Sequence, residues 1–204
     1  MLSAALRAFS HKGYASAHVS DIIKGAGVAR GTFYLYFESK RDAFEKVLAH
    51  ILSKIENIAP RDRTDNYFPS PEALYVRIYT TFVKFFSVFR ENSAFARIVF
   101  TEATGLDKGF DRQLEDHYNL HRQNIRRYLE GVRNSGIAYN FDLDITVEAI
   151  IGMVERCART FLSEKNSMDP EVLAKRIADF EFQAVCSIPL SDLDQDAIEN
   201  NEKY

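Results

Sequence analysis

The sequence has little of several features that define other protein classes. Its two cysteines, Cys157 and Cys186, are too few for a disulfide framework and are not spaced as zinc-finger ligands are. Nine glycines and five prolines in 204 residues are too few for a protein of many short strands and tight turns. No apolar run approaches the ~18 residues that a membrane span needs, and no basic leader precedes an apolar stretch at the start. These absences predict a cytoplasmic, soluble and largely helical protein that does not contact a membrane.

The composition is that of an ordinary globular protein, but the charge is unevenly distributed. Hydrophobic residues make up 46% and charged residues 27% of the chain, which excludes a disordered or collagen-like protein. The formal net charge is −3. Residues 1–59 carry eight lysines and arginines against five acidic residues, a net +3, so the remainder carries −6. A positive front on an acidic body is typical of a polyanion-binding module attached to a different domain.

Apolar residues recur at helical spacing along the whole chain, which predicts an all-α protein of about nine helices. The first predicted helix ends at Gly13, because glycine is a natural C-terminal cap. The first four helices are predicted to begin near Leu2, Val19, Ala29 and Ser39. After a polar stretch bounded by prolines, five more are predicted to begin near Pro71, Phe95, Asp107, Asp144 and Asp169.

Two short predicted helices joined at Ala26, Gly27 and Val28 form the most informative feature. A helix-turn-helix needs a small residue where the helices cross, a glycine with positive φ at the corner and an apolar residue that fills the turn. These three residues meet those needs in order. The second helix of such a pair lies in the major groove of DNA, so its outward side chains should be small, polar or basic. Phe33 and Phe37 are expected to face inward. The positions expected to face outward are Arg30, Gly31, Thr32, Tyr34 and Leu35.

The side chains on and around the second helix suit contacts with double-stranded DNA. Arg30 suits a bidentate contact with guanine, and Thr32 suits a base edge, a thymine methyl group or a phosphate. Tyr34, Tyr36 and Lys40 are placed for phosphate contacts that fix the docking register. The predicted DNA-binding residues are Ser20, Arg30, Gly31, Thr32, Tyr34, Tyr36 and Lys40. The alternative is a helical hairpin buried in a bundle, with the two tyrosines as half-buried packing residues.

The segment from Asp21 to Lys40, DIIKGAGVARGTFYLYFESK, resembles the signature of the TetR/AcrR family of transcriptional regulators. Residues Ala4 to Tyr14 are similar to that family's first helix, and the close match covers about residues 2–50. The stretch from Phe95 to Phe110 is similar to a common variant of the family's C-terminal domain. The resemblance implies a homodimer with an all-helical ligand pocket, and repression that is relieved when an effector binds.

The resemblance also implies a division of the chain into three parts. A three-helix helix-turn-helix DNA-binding domain is expected over residues 1–46, a helical effector-binding and dimerisation domain over 47–188, and an acidic, flexible tail over 189–204. The helices over residues 144–162 and 169–187 are expected to form a four-helix bundle with their copies in a two-fold dimer. Recognition helices roughly 34–36 Å apart would then match a palindromic operator.

Aromatic residues are plentiful in the second part, where the family places its ligand between helices. We expect them to line a site for a small apolar or aromatic effector, with polar contacts from histidine, tyrosine or arginine. The predicted pocket residues are Tyr79, Phe82, Phe86, Phe100, Tyr118, His121, Tyr128, Arg156 and Phe161. Ordinary core packing is the alternative for each aromatic residue, and Arg156 and Arg159 are equally suited to salt bridges with Glu148 or Glu155.

Two other function classes compete with a DNA-binding regulator. His117 and His121 lie four residues apart on a predicted helix, as some metal ligands do, but the glutamate of the zinc-protease motif is missing. The glycines around the turn lack the spacing and the preceding strand of a dinucleotide site. We therefore expect no enzyme activity, no cofactor and no metal. His18 and Ala29 replace the hydroxyl side chains that usually cap the two short helices in the family. These replacements leave open a helical interaction protein that kept the fold and lost operator binding.

Overall fold

The computed structural model describes residues 1–58, 67–99, 108–162 and 168–201. Over these residues the protein is all-α, as predicted, and an isolated antiparallel bridge joins Ala138 and Cys186. The described helices are α1 (Leu2–Ser16), α2 (Val19–Ala26), α3 (Arg30–Tyr36), α4 (Lys40–Glu56), α5 (Pro71–Glu91), α6 (Ser93–Ile98), α7 (Lys108–Asn134), α8 (Leu143–Phe161), α9 (Pro170–Val185) and α10 (Gln195–Asn201). The chain divides into two compact units. Unit 1 is Met1–Ile55 with Asn92–His117, and unit 2 is Glu56–Glu91 with Tyr118–Tyr204.

The core of unit 1 is a cluster of phenylalanine rings centred on Phe44 of α4. Its ring centroid lies 5.1 Å from that of Phe9, 5.0 Å from that of Phe95 and 5.3 Å from that of Phe110. All four side chains are at most 1% exposed. Edge-to-face and tilted aromatic pairs of this kind add about 0.5–1.5 kcal/mol each beyond the burial of their surface. The cluster therefore holds α1, α4, α6 and the start of α7 together as the support for α2 and α3.

The first helix bends where the sequence predicted that it would end. Gly13 has a φ of 77° and a ψ of 166°, which are not helical, and the helix resumes after it as far as Ser16. Positive φ is inexpensive for glycine because it has no Cβ. The predicted helix end at Gly13 was therefore wrong by one short turn, although the glycine does interrupt the helix.

Unit 2 is organised around the packing of α5 against α9. The Tyr75 hydroxyl donates a hydrogen bond of 2.7 Å to Asp179 Oδ1, which joins the two helices. Asp169 caps α9 as predicted, because its Oδ1 accepts from the backbone N–H groups of Glu171 at 2.8 Å and Val172 at 3.3 Å. The preceding helix, α8, begins at Leu143 with Asp142 as its cap, close to the predicted start.

The acidic C-terminal segment differs from the flexible tail that we expected over residues 189–204. Its described part contains a 3₁₀ turn over Leu190–Asp192 and then α10, which packs against α5. Leu193 and Ile198 are buried at 6% and 8% exposure. Two apolar residues among many acidic ones give no clear helical period in the sequence, so this short helix was missed.

Candidate nucleic-acid interface

The corner between α2 and α3 has the geometry that the Ala26-Gly27-Val28 sequence predicts. Gly27 adopts the left-handed conformation, with φ 67° and ψ 33°. Its N–H donates to the carbonyls of Ile23 and Lys24, and the Val28 N–H donates to the Ile23 carbonyl at 3.4 Å. A side chain at this φ would be strained, whatever space surrounds it. The glycine therefore sets the angle at which α3 leaves α2.

A carboxylate fixes the start of α2 where the usual hydroxyl cap is replaced by His18. The Asp21 Oδ2 atom accepts a 2.9 Å hydrogen bond from the His18 backbone N–H. Its Oδ1 atom lies 2.6 Å from Lys12 Nζ. The Lys12 ammonium and then the His18 N–H hold the pKa of Asp21 below its usual value. The ion pair with Lys12 ties α2 to α1. The other oxygen of the same carboxylate accepts from the His18 N–H at the start of α2.

The third helix buries its phenylalanines and exposes its other large side chains, as predicted. Phe33 and Phe37 are 0% and 3% exposed, whereas Tyr34, Leu35 and Tyr36 are 49%, 82% and 56% exposed. The Tyr34 ring contacts the edge of Phe33 at a centroid distance of 5.2 Å, which orients it at the surface. These exposures argue against the alternative of a hairpin buried in a bundle.

The remaining predicted contact residues of α2 and α3 lie at or near the same surface. Ser20, Arg30 and Gly31 are exposed, and Thr32 is half-buried. Among the described residues, the Arg30 guanidinium has no hydrogen-bond or ion-pair partner, so it is available to an external acceptor. A Cβ added at Gly31 would meet no atom within 4 Å, so the packing of the domain does not require a glycine there.

Lys40 is placed differently from the other predicted contact residues. Its Nζ atom donates to the carbonyls of Tyr14 at 3.0 Å and Ala15 at 3.3 Å, and lies 4.7 Å from the centroid of the Tyr14 ring. The carbonyls at the end of α1 need such donors, because they have no partners within the helix. Lys40 therefore joins the start of α4 to the end of α1.

Two basic residues that the sequence analysis did not single out also support the short helices. Lys46 Nζ donates to the Tyr36 carbonyl at 3.0 Å and pairs with Asp42 Oδ2 at 3.0 Å. Arg7 donates to the Gly25 carbonyl at 3.1 Å. Both contacts satisfy carbonyls near helix ends, and both join residues with no periodic relation in the sequence.

Known bacterial regulators resemble this chain, most clearly over its N-terminal helices. Residues 1–47 match the family model of bacterial regulatory proteins, tetR family. These residues are similar to the helix-turn-helix domain of the TetR/AcrR family. The uncharacterized HTH-type transcriptional regulator YdgC of Bacillus subtilis (strain 168) is 26% identical over 181 residues, which cover 87% of this chain and 86% of YdgC. The protein is thus a transcription regulator with a helix-turn-helix DNA-binding domain, and its relatives are regulators rather than enzymes.

Solved structures share the fold of this regulator over most of its length. PfmR, a TetR family transcriptional regulator from Thermus thermophilus, superposes with a TM-score of 0.71 at 19% identity and covers 89% of this chain and 93% of its own. FadR from Bacillus subtilis, solved in complex with stearoyl-CoA, superposes with a TM-score of 0.65 at 21% identity. That match covers 90% of this chain and 96% of FadR. At these identities the likeness shows a common fold.

The predicted effector-pocket residues of the regulator differ in their burial. Phe82 and Phe86 are buried and stacked, with ring centroids 5.7 Å apart. Tyr79, His121 and Phe161 are half-buried, whereas Arg156 is exposed. Phe100 lies outside the described residues. Phe82 and Phe86 both lie on α5, and the pocket that the full set would line stays a prediction.

The polar contacts around α8 agree with the salt-bridge alternative for Arg159. Tyr118 donates a 3.1 Å hydrogen bond to Glu155, and burial first, with the Glu155 charge, raises the pKa of Tyr118 to about 12. Glu155 also lies 3.4 Å from Arg159, and Glu148 lies 2.6 Å from Arg122. The carboxylates of α8 are thus engaged by neighbouring side chains.

A second polar pair, Tyr128 and Glu181, lies inside unit 2, and only Tyr128 belongs to the predicted pocket set. The Tyr128 hydroxyl and the Glu181 Oε2 atom are both buried, and the two side chains are close enough to shift each other's pKa. Burial raises the pKa of Glu181 to about 7, and the neighbouring Tyr128 hydroxyl opposes the shift. Burial and the nearby Glu181 raise the pKa of Tyr128 well above its ordinary value. The aromatic pattern of the sequence pointed to Tyr128 but not to Glu181, because a glutamate on an amphipathic helix is normally a solvated residue.

Neither a metal cluster nor a membrane span is found in the part of the chain that the structure describes. No group of three or more histidine, cysteine, aspartate or glutamate side chains within the described ranges is placed to hold a metal ion. In that same part of the chain, no helix has the length and apolar character required to cross a membrane.

Proposed function

We propose that this regulator is a homodimeric repressor that binds a palindromic operator and is released by a small-molecule effector. The observation that carries the proposal is the exposed surface of α3, set by the Gly27 corner and fixed from behind by buried Phe33 and Phe37. A short helix presented in this way fits the major groove, where base edges distinguish the four base pairs.

The contacts divide into those that read sequence and those that position the protein. Arg30, which has no partner among the described residues, suits the two acceptors of a guanine, and Thr32 suits an adjacent base edge. Ser20, Tyr34 and Tyr36 carry hydroxyl groups that suit phosphate oxygens. We assign Lys40 a supporting role in addition to a phosphate contact, since its ammonium already binds the end of α1.

Exposed apolar side chains on α8 and α9 support the proposed dimer. Ile145, Val172 and Phe180 are 70%, 46% and 63% exposed, although each lies on a helix of otherwise amphipathic character. Burying them against a two-fold copy would remove apolar surface from water. A dimer also presents two recognition helices to successive major grooves, which lie roughly 34–36 Å apart along the DNA.

The proposed effector has an apolar or aromatic body and a polar group. Phe82 and Phe86 supply apolar surface within unit 2, and Tyr128 and Glu181 supply buried polar atoms. A long acyl chain, as in the stearoyl-CoA bound by FadR, is one ligand of the apolar class. A ligand that binds the DNA-incompetent state more tightly would lower operator affinity by that difference.

The test is selection of bound duplexes from a random DNA library by the purified protein, read by sequencing. A two-fold palindrome is expected, with affinity that falls steeply as salt rises because phosphate contacts release counterions. Arg30→Ala should relax base preference at one position of each half-site and cost roughly tenfold in affinity, whereas Ser20→Ala should weaken all duplexes alike.

Three results would contradict parts of this proposal. No enrichment by the wild-type protein would favour the interaction protein without operator binding. Enrichment of a single, non-repeated site would contradict the dimer. Equal losses on selected and random DNA for Arg30→Ala would contradict its base contact.

A further inference from the structure

The side of α3 that faces away from the core can be located from the two buried phenylalanines on the opposite side. Phe33 and Phe37 lie four residues apart and are both buried, so together they mark the side that faces the core of unit 1. Successive helical residues are rotated by about 100°, so the direction opposite to this pair passes through Leu35 and close to Gly31. Leu35 therefore projects farthest from the core, one helical turn after a residue without a side chain.

The exposed large apolar side chains of unit 1 lie together on α3. Of the described residues in that unit, those with exposed large hydrophobic side chains are Tyr34, Leu35 and Tyr36, which are consecutive. A single exposed leucine is ordinary on a protein surface. Leu35, however, is 82% exposed and lies between the exposed Tyr34 and Tyr36 on the outward side of α3. An apolar side chain on a DNA-facing surface calls for an apolar partner on the DNA.

The chemistry of the leucine side chain restricts that partner. It has no hydrogen-bonding atom, so it has no favourable contact with a phosphate or with a donor or acceptor on a base edge. The apolar group that base edges present in the major groove is the 5-methyl group of thymine. Gly31 removes the side chain that would otherwise stand one turn before Leu35, which allows the helix backbone to approach the groove closely.

We propose that Leu35 is a specificity-determining residue that contacts the 5-methyl group of one thymine in each operator half-site. This inference rests on the proposed operator binding. It specifies the base that is contacted, the group on that base and the side chain that contacts it. It predicts that a thymine at one position is preferred for its methyl group rather than for its hydrogen-bonding pattern.

The experiment replaces the thymines of the selected operator with uracil, one position of one half-site at a time. Uracil keeps the pairing and the O4 acceptor and removes only the methyl group. For the wild-type protein we expect one position per half-site at which uracil weakens binding by about fourfold, the effect of one buried methyl group. For Leu35→Ala we expect a weaker complex with the thymine operator, by about tenfold, and no further loss at that position with uracil.

Leu120→Ala is the matched control, because Leu120 is an exposed leucine of α7 in unit 2. It should keep the wild-type response to uracil at every position. Thermal unfolding of both variants should match that of the wild type, since neither side chain is buried, and this separates a lost contact from a lost fold.

The outcomes distinguish this inference from the proposed function. If the wild-type protein enriches a palindrome but Leu35→Ala and the wild type respond identically to uracil at all positions, the Leu35 contact is overturned and operator binding stands. An operator in which no thymine responds to uracil overturns it in the same way. If the wild-type protein enriches no sequence, operator binding fails and the Leu35 contact fails with it.

Discussion

Gly31 lies on the exposed surface of α3, where an alanine Cβ would have no neighbour within 4 Å. Glycine in a helix is less favourable than alanine by about 0.5–1 kcal/mol. The fold therefore gains nothing from this glycine, whereas close approach of the backbone to DNA requires a small residue. We expect Gly31→Ala to raise the free energy of unfolding by that amount and to weaken binding to the selected operator at least tenfold, as measured by chemical denaturation and by fluorescence anisotropy.

Gly25→Ala is the matched control for Gly31→Ala. Gly25 lies on α2, and its added Cβ would meet Ala4 Cβ at 3.9 Å, an ordinary contact. It should stabilise the protein similarly and leave operator affinity within about twofold. If Gly31→Ala bound the operator as tightly as the wild type, the proposed close approach at residue 31 would be wrong.

At the scale of elements, α8 and α9 carry the apolar residues that the proposed dimer would bury. Phe180, 63% exposed on α9, is the largest of them. A charge at the centre of a two-fold apolar interface is unpaired and desolvated, so Phe180→Glu should shift the protein from dimer to monomer at micromolar concentration. Light scattering coupled to gel filtration measures the mass directly. The monomer should also lose its preference for a palindrome over a single half-site.

Tyr139→Glu is the matched control for the dimer, because Tyr139 is 51% exposed in the same unit but lies outside both helices. It should remain dimeric. A monomeric wild-type protein, or a Phe180→Glu variant of unchanged mass, would show that this surface does not form the dimer.

At the scale of the whole molecule, Glu181 links stability to pH. Its pKa rises from an ordinary 4.5 to about 7 because the carboxyl is buried. Between these values the unfolded chain releases the proton and the folded chain keeps it, so the free energy of unfolding falls as pH rises from about 4.5 to 7 and then levels off. The loss is on the order of 3 kcal/mol as an upper limit. Glu181→Gln should remove this fall, as measured by urea denaturation from pH 5 to 8 at one protein concentration.

The control for this effect is Glu130→Gln, since Glu130 is an exposed glutamate of α7. Its pH profile should follow the wild type. Identical profiles for the wild type and Glu181→Gln would mean that the Glu181 carboxyl is solvated in the folded protein.

Most helices could be predicted from the sequence, because their apolar spacing and their caps are local features. Asp169 caps α9 in the way that its sequence context indicates, and Gly27 has the positive φ that the turn requires. The segment after Pro189 could not be predicted in this way. Its two buried residues, Leu193 and Ile198, are held by packing in unit 2, which involves α5, more than 100 residues earlier in the sequence.

The candidate site could be predicted to a similar extent. The outward residues of α3 follow from helical geometry, once Phe33 and Phe37 are recognised as the buried side. The placement of Lys40 against the end of α1 did not follow, because the side chain of a long, charged residue is directed by acceptors far away in the sequence. The burial of Glu181 was likewise invisible, since only its neighbours exclude water from it.

The sequence by itself determined the all-α fold, the helix-turn-helix and the likeness to the TetR/AcrR family, because each depends on residue types at short, fixed spacing. Tertiary structure alone decided which polar groups are engaged, which are buried, and which apolar side chains remain exposed on α3, α8 and α9. Those properties depend on what surrounds a side chain rather than on what it is. Packing sets that environment by bringing together residues that are distant in the chain.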